Sequence, residues 1–131
     1  GERMSTARKV FIVFWHPEPS KKSFNHALLD QAVASWEARG AEVRVSDLGE
    51  MKFNPVSGPH NFKEVTDKEF FKQQLEEMAV ADGTSAGFAD DLEEEMKKLE
   101  WCDTLVLHFP LWWFGLPAML KGWCDRVLVM R

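Results

Sequence analysis

The chain has little cysteine, no tyrosine, no long apolar run and no surplus of positive charge, and each shortage narrows what it can be. Cys102 and Cys124 are the only thiols in 131 residues. Their spacing fits no metal motif and two are too few for a disulfide framework, so a reducing, cytoplasmic compartment is the simplest expectation. Lys and Arg number 16 against 21 Asp and Glu, a formal net charge of -5. That balance argues against a nucleic-acid partner, because neutralising phosphates needs the opposite sign. No apolar run approaches the ~20 residues of a membrane helix, so no membrane insertion is expected. The polar amino end holds no segment of signal-peptide length. Two phosphate-binding signatures are also missing: there is no G-x-x-x-x-G-K-(S/T) of a P-loop and no G-x-G-x-x-G of a dinucleotide fold. What remains is ample for a core, since 45% of the residues are hydrophobic and the length suits one domain. Residues 1–3 precede Met4 and read as a cloning remnant, which leaves 4–131 as the domain.

The order of elements is legible from periodicity. Residues 9–15, Lys-Val-Phe-Ile-Val-Phe-Trp, form an unbroken run of β-branched and aromatic residues, the pattern of a strand buried on both faces. A loop with two prolines follows and ends at Ser23, a good N-cap. Phe24, Leu28, Leu29, Ala32, Val33 and Trp36 then recur at helical spacing until Gly40. Residues 42–46 alternate around Val43 and Val45, which suits a half-covered strand at a sheet edge. Strand, helix and strand with short connections imply a parallel pair with a right-handed crossover. Residues 66–81 read as an irregular helix and 82–87 as a turn cluster. Leu92, Met96 and Leu99 mark the stripe of another helix, with Glu93–Lys97 and Glu94–Lys98 as supporting pairs. Residues 104–109 are a second apolar strand, broken only by His108, which reads as a core histidine. Pro117 suits the first helical position, with Leu120, Trp123, Val127 and Leu128 facing inward. The expected fold is α/β, a doubly wound parallel sheet of order 2-1-3.

In such a sheet, ligands bind outside the carboxyl ends of strands one and three, where the strand order reverses. Two segments meet there. The first carries Ser20, Lys21, Lys22 and Ser23 before a helix N-terminus, where free N–H groups and the macrodipole favour an anion such as phosphate; equally, Ser23 only caps the helix and the lysines are solvated. The second, residues 109–115, places Trp112, Trp113 and Phe114 in a loop beyond a central strand. Such rings suit a flat aromatic ligand such as an isoalloxazine, or they close the core or make a dimer contact.

The stretch 109–127, Phe-Pro-Leu-Trp-Trp-Phe-Gly-Leu-Pro-Ala-Met-Leu-Lys-Gly-Trp-Cys-Asp-Arg-Val, closely resembles the signature of the NAD(P)H:quinone oxidoreductase family of flavodoxin-like flavoproteins. His16-Pro17-Glu18-Pro19, Ser23-Phe24-Asn25, Ser46-Asp47-Leu48, Met51, Phe53-Asn54-Pro55 and Lys97-Lys98-Leu99-Glu100 follow in the family's order. The resemblance implies a flavin, FAD rather than FMN, whose diphosphate lies at His16, Ser23, Phe24 and Asn25 with Lys22 nearby. It implies a ring system against Pro110, Leu111, Trp113 and Phe114, with Trp112 where relatives often carry Gln, and a cofactor-touching glutamine at Gln74. It further implies a cytoplasmic homodimer in which NAD(P)H reduces the flavin, leaves, and is replaced by a quinone that takes the hydride. The family's five-stranded sheet and its Tyr and His near the nicotinamide come from later loops. On this reading 4–131 is the amino-terminal part of such a domain, with 104–109 an uncovered apolar edge, and no catalytic residue is assigned. Alternatives are an FMN-dependent azoreductase-like or modulator-type flavoprotein, and a flavodoxin-like regulatory subunit of the kind found in ion-efflux systems.

Overall fold

A computed structural model describes residues 7–129; the expected remnant at 1–3 lies outside them. Three parallel strands form one sheet, β1 (Lys9–Phe14), β2 (Glu42–Asp47) and β3 (Thr104–His108), in the order β2-β1-β3. Among the described residues four α-helices accompany them, α1 (Phe24–Ala38), α2 (Gln73–Ala81), α3 (Asp90–Trp101) and α4 (Ala118–Val127), with a short 3-10 turn at Pro59–Asn61. The registers bring Phe14 level with Asp47 on one side and His108 on the other. The loops that follow all three strands therefore leave the sheet along one edge.

The unbroken apolar run of β1 is explained by its two covered faces. Because side chains alternate across a strand, Phe11 and Val13 enter a large core with Leu48, Phe53, Leu92, Met96, Leu120 and Trp123, beneath α3 and α4. Val10, Ile12 and Phe14 face the other way, onto Leu29 of α1. The edge reading of β2 holds: Val45 is exposed, while Arg44 lays its guanidinium over the Trp101 ring at 4.0 Å. β3 is only partly buried, with Leu105 exposed, because β1 is its only strand neighbour among the described residues.

Several expectations need correction. The helix expected over 66–81 begins only at Gln73. Upstream of it the amides bond to carboxylates instead of carbonyls: Asp67 Oδ1 accepts from Glu69 and Phe70 N–H, and the buried Glu76 accepts from Thr66 and Asp67 N–H. Side chains of this kind compete with the helical ladder for the backbone. The Glu94–Lys98 pair is replaced by Lys98 on Glu95, 2.7 Å away. Glu95 lies within the inward stripe of α3, so its fully buried carboxylate draws Lys98 inward and accepts from Trp123 Nε1 at 3.1 Å. Leu128 is exposed at the end of α4, and the inward position near it belongs to Arg126. That buried guanidinium donates to Asn61 Oδ1, the Asn54 carbonyl and Asp91 Oδ2 at 2.8 to 2.9 Å, pinning α4 to the loop after β2. Gly122 allows the approach, since a Cβ there would overlap the backbone of Pro55.

Candidate functional site at the carboxyl edge of the sheet

The loop after β1 is organised by its own polar groups. Trp15 N–H donates to the His108 carbonyl at 3.2 Å, holding the start of the loop against the end of β3. Glu18 N–H donates to His16 Nδ1, and Ser20 N–H donates to the Glu18 carboxylate, which holds that carboxyl below its usual range. Lys21 adopts φ 61° and turns its ammonium to Glu50, 2.6 Å away on the loop after β2. Both lysines are exposed, and Lys22, beside the helix start, has no ion pair among the described residues. A cavity of about 440 Å³ opens on the β2 side of this loop, lined by Trp15, His16, Lys21, His26, Asp47 and Glu50.

Ser23 caps α1: its Oγ accepts from His26 N–H at 3.2 Å and shares a hydrogen bond with His26 Nδ1 at 2.7 Å. The sequence reading missed His26. It is buried, edge-on to Phe14 with ring centres 4.8 Å apart, and 5.6 Å from the His16 ring. Its signal was available, for the third helical residue is where a side chain reaches back to the cap in a capping box. With His26 N–H taken by the cap, the N–H groups of Phe24 and Asn25 have no acceptor among the described residues. They are the free donors that a helix start offers an anion. Phe24 is 77% exposed, so its ring opens helix α1 without entering the core. Asn25 turns Oδ1 to His108 Nε2 at 3.2 Å, across the end of the sheet. His108 is thus not the core histidine expected of it but a half-buried bridge between β3 and the start of α1.

The loop after β3 is a tight turn. Trp112 N–H donates to the Gly115 carbonyl at 3.3 Å and Gly115 N–H donates to the Trp112 carbonyl at 3.0 Å. The two residues between them, Trp113 and Phe114, both have positive φ, 49° and 61°. This is the handedness of a type I′ turn, which Asn-Gly normally fills because other side chains clash there. Two large aromatics in such a turn are strained, and strained backbone concentrates at ligand sites. Their rings are 98% and 96% exposed. Trp112 is different: its ring meets Trp15 edge-on at 5.3 Å and so joins the two loops. Pro110 is half-buried and Leu111 exposed beside the turn.

His16, Lys22, Ser23, Phe24 and Asn25 therefore lie in one loop and helix start, and residues 110–114 in the other, both along the same sheet edge. Gln74 does not join them by any hydrogen bond among the described residues. It is exposed on α2, while its neighbour Gln73 accepts from the Ser57 hydroxyl at 2.6 Å and donates to Glu77 Oε1 at 2.9 Å. No helix among the described residues is long and apolar enough to cross a membrane.

A flavin fits these residues on two counts: unpaired N–H donors stand at a helix start, and a solvent-facing aromatic pair stands beyond the adjacent strand. Comparison with known proteins agrees with that geometry. NAD(P)H dehydrogenase (quinone) 1 of Rattus norvegicus is 41% identical over 124 residues, 93% of this chain and 43% of that protein. Ribosyldihydronicotinamide dehydrogenase (quinone) of the same species is 38% identical over 122 residues, 92% of this chain and 51% of that protein. Among solved structures, a candidate quinone reductase from Klebsiella pneumoniae superposes with a TM-score of 0.83 at 37% identity, over 94% of this chain and 46% of its own. The chain thus spans about half the length of the curated relatives it matches. The family model for the flavodoxin-like fold matches residues 8–131, and with its parallel 2-1-3 sheet the chain belongs to the flavodoxin-like family.

Proposed function

We propose that this chain carries the flavin-binding edge of an NAD(P)H-dependent quinone reductase, a cytoplasmic homodimer that uses FAD. The observation that carries the reading is the strained, exposed pair Trp113 and Phe114. Among the described residues nothing buries these two rings, whereas a planar ligand laid on them would. Pro110 and Leu111 extend the apolar surface, and Trp112 braces it against Trp15. At the other loop the Phe24 and Asn25 N–H groups, the α1 macrodipole, Lys22 and His16 would hold a diphosphate. Ser23 acts there chiefly through the cap, since its hydroxyl is already engaged by His26. Gln74 would touch the cofactor only from the side of α2.

When bound, a flavin would supply the two-electron chemistry that links oxidation of NAD(P)H to reduction of a quinone in a ping-pong exchange. This chain's part is to fix the ring plane, keep one face of it from water and neutralise the diphosphate. The purified chain should take up FAD in preference to FMN, with mass analysis of the released cofactor as the assay. It should support quinone-dependent oxidation of NAD(P)H when the rest of the site is present. Absence of any flavin binding, with the fold intact by circular dichroism, would overturn the proposal. A flavoprotein that reduces azo dyes with FMN, or a colourless chain that binds a membrane partner, would replace it.

A further inference from the structure

We infer that His108 is a positioning residue which fixes the side-chain amide of Asn25 so that it presents N–H, not carbonyl, to an anion at the start of α1. The inference rests on the flavin reading above for the identity of that anion. Asn25 is the second residue of α1, 83 positions from His108, and Oδ1 faces His108 Nε2 at 3.2 Å. A carbonyl oxygen can only accept, so the imidazole nitrogen carries the proton in this bond. The other end of the amide, Nδ2, then has no protein acceptor among the described residues and is free to donate.

The ends of an amide have opposite polarity, so rotation by half a turn changes an attraction for phosphate into a repulsion. The Asn25 side chain has no other hydrogen bond among the described residues to choose between the two orientations. His108, by contrast, is held from several sides. Its carbonyl accepts from Trp15 N–H at 3.2 Å, its strand pairs with β1 beside Phe14, and its ring lies edge-on to Phe14 with centres 5.1 Å apart. The same Phe14 ring meets His26 at 4.8 Å, so the central strand sets both imidazoles. Burial, and then the neighbouring His26, hold His108 below the usual imidazole range. It is therefore neutral at neutral pH and acts as a fixed dipole without adding a charge.

The test compares His108→Leu, which keeps apolar bulk beside Phe14 but has no donor, with His108→Gln, whose amide can donate to Oδ1. Two readouts are taken on the whole chain at pH 7.5: the Asn25 side-chain NH2 resonances without ligand, and the affinity for FAD, with inorganic pyrophosphate as a second probe. The wild type and His108→Gln should show a resolved Asn25 amide pair, and His108→Leu should return it to the random-coil position. Affinity should fall about fivefold in His108→Leu, the worth of one hydrogen bond near 1 kcal/mol, and recover to within twofold in His108→Gln. Asn25 resonances indifferent to His108→Leu, or equal losses of affinity in both variants, would refute the positioning role. A wild type that binds neither FAD nor pyrophosphate would instead refute the flavin reading, whatever the Asn25 amide does.

Discussion

Glycine at Trp113 or Phe114 should make this protein more stable and a poorer flavin binder at the same time. Both side chains are almost wholly exposed, 98% and 96%, so truncation forfeits no burial in the folded state. Both residues sit at φ values of 49° and 61°, where a side chain costs about 1–2 kcal/mol through contact of Cβ with the following carbonyl. Glycine removes that cost and gives back about 0.4–1 kcal/mol through the larger entropy of the unfolded chain. The net gain is about 0.5–1 kcal/mol per position, or a few degrees in Tm for a domain of this size. Trp113→Ala is the control, since alanine keeps the Cβ and the strain and should leave the urea midpoint unchanged. Stacking on one aromatic ring is worth about 1–3 kcal/mol, so each glycine variant should weaken FAD binding about fivefold to a hundredfold. Urea melts followed by circular dichroism, paired with flavin titration, give both numbers from one preparation. Glycine variants that lose stability would refute the strain argument, and variants that bind FAD as the wild type does would refute the ring platform.

Both Ser23→Ala and Ser23→Gly leave the buried His26 Nδ1 without its partner, a loss of about 1 kcal/mol; the lost cap adds about 1 kcal/mol for Ala and only a few tenths for Gly, and a Gly variant within a few tenths of wild type in a urea melt would contradict that bond. Glu76 is buried, and burial alone would raise its carboxyl, but the Thr66 and Asp67 N–H groups and the Thr66 hydroxyl outweigh this and hold it below 4.5. Its contribution is therefore complete above about pH 4.5 and lost as the pH falls through the lower folded value. Glu76→Gln should cost about 1.5–3 kcal/mol at pH 7 and progressively less in acid melts, and a cost that does not vary with pH would exclude the ionised form. Arg126→Met should lose at least about 3 kcal/mol, because it orphans the buried Asn61 Oδ1 and the Asn54 carbonyl; an unchanged denaturation midpoint would show the network to be dispensable.

The elements most visible in the sequence were those whose pattern has a single physical cause. The run in β1 could only be a strand covered twice, and Ser23 before a periodic stripe could only start a helix. The alternation at Val43 and Val45 placed β2 at the edge. The strand order 2-1-3 by itself brings the two loops together at one edge of the sheet. The failures share a different cause, which is that long-range polar partners leave no periodic trace. Glu76 belongs by periodicity to a helix, yet its carboxylate organises the residues before that helix. Glu95 and Arg126 look like surface charges until the Trp123 indole and the carbonyl of Asn54 stand opposite them. His108 reads as a core histidine and His26 draws no reading at all, and only the closeness of α1 to the end of β3 brings them to one Phe14 ring. Nor does composition reveal the left-handed turn at Trp113 and Phe114, since neither residue favours positive φ.

The two loops are tied to each other as firmly as to the sheet, which bears on how a ligand reaching from one to the other would be held. Trp15 leads into the first loop and meets the Trp112 ring of the second, while its N–H bonds the carbonyl of His108 at the end of β3. Asn25 closes the same circuit from α1 through the His108 side chain. Each connection runs through residues next to β1, the most deeply buried strand, so neither loop can shift far without disturbing the core. Such preorganisation lowers the ordering cost of binding, because a ligand finds donors and rings already at a fixed separation. It also divides the labour. The aromatic turn carries strain that only a bound partner would justify, whereas the start of α1 carries none at Ser23–Asn25 and owes its free donors to the helix end itself. A glycine at the turn should therefore alter stability and affinity in opposite directions, and loss of the cap at the helix start should lower both.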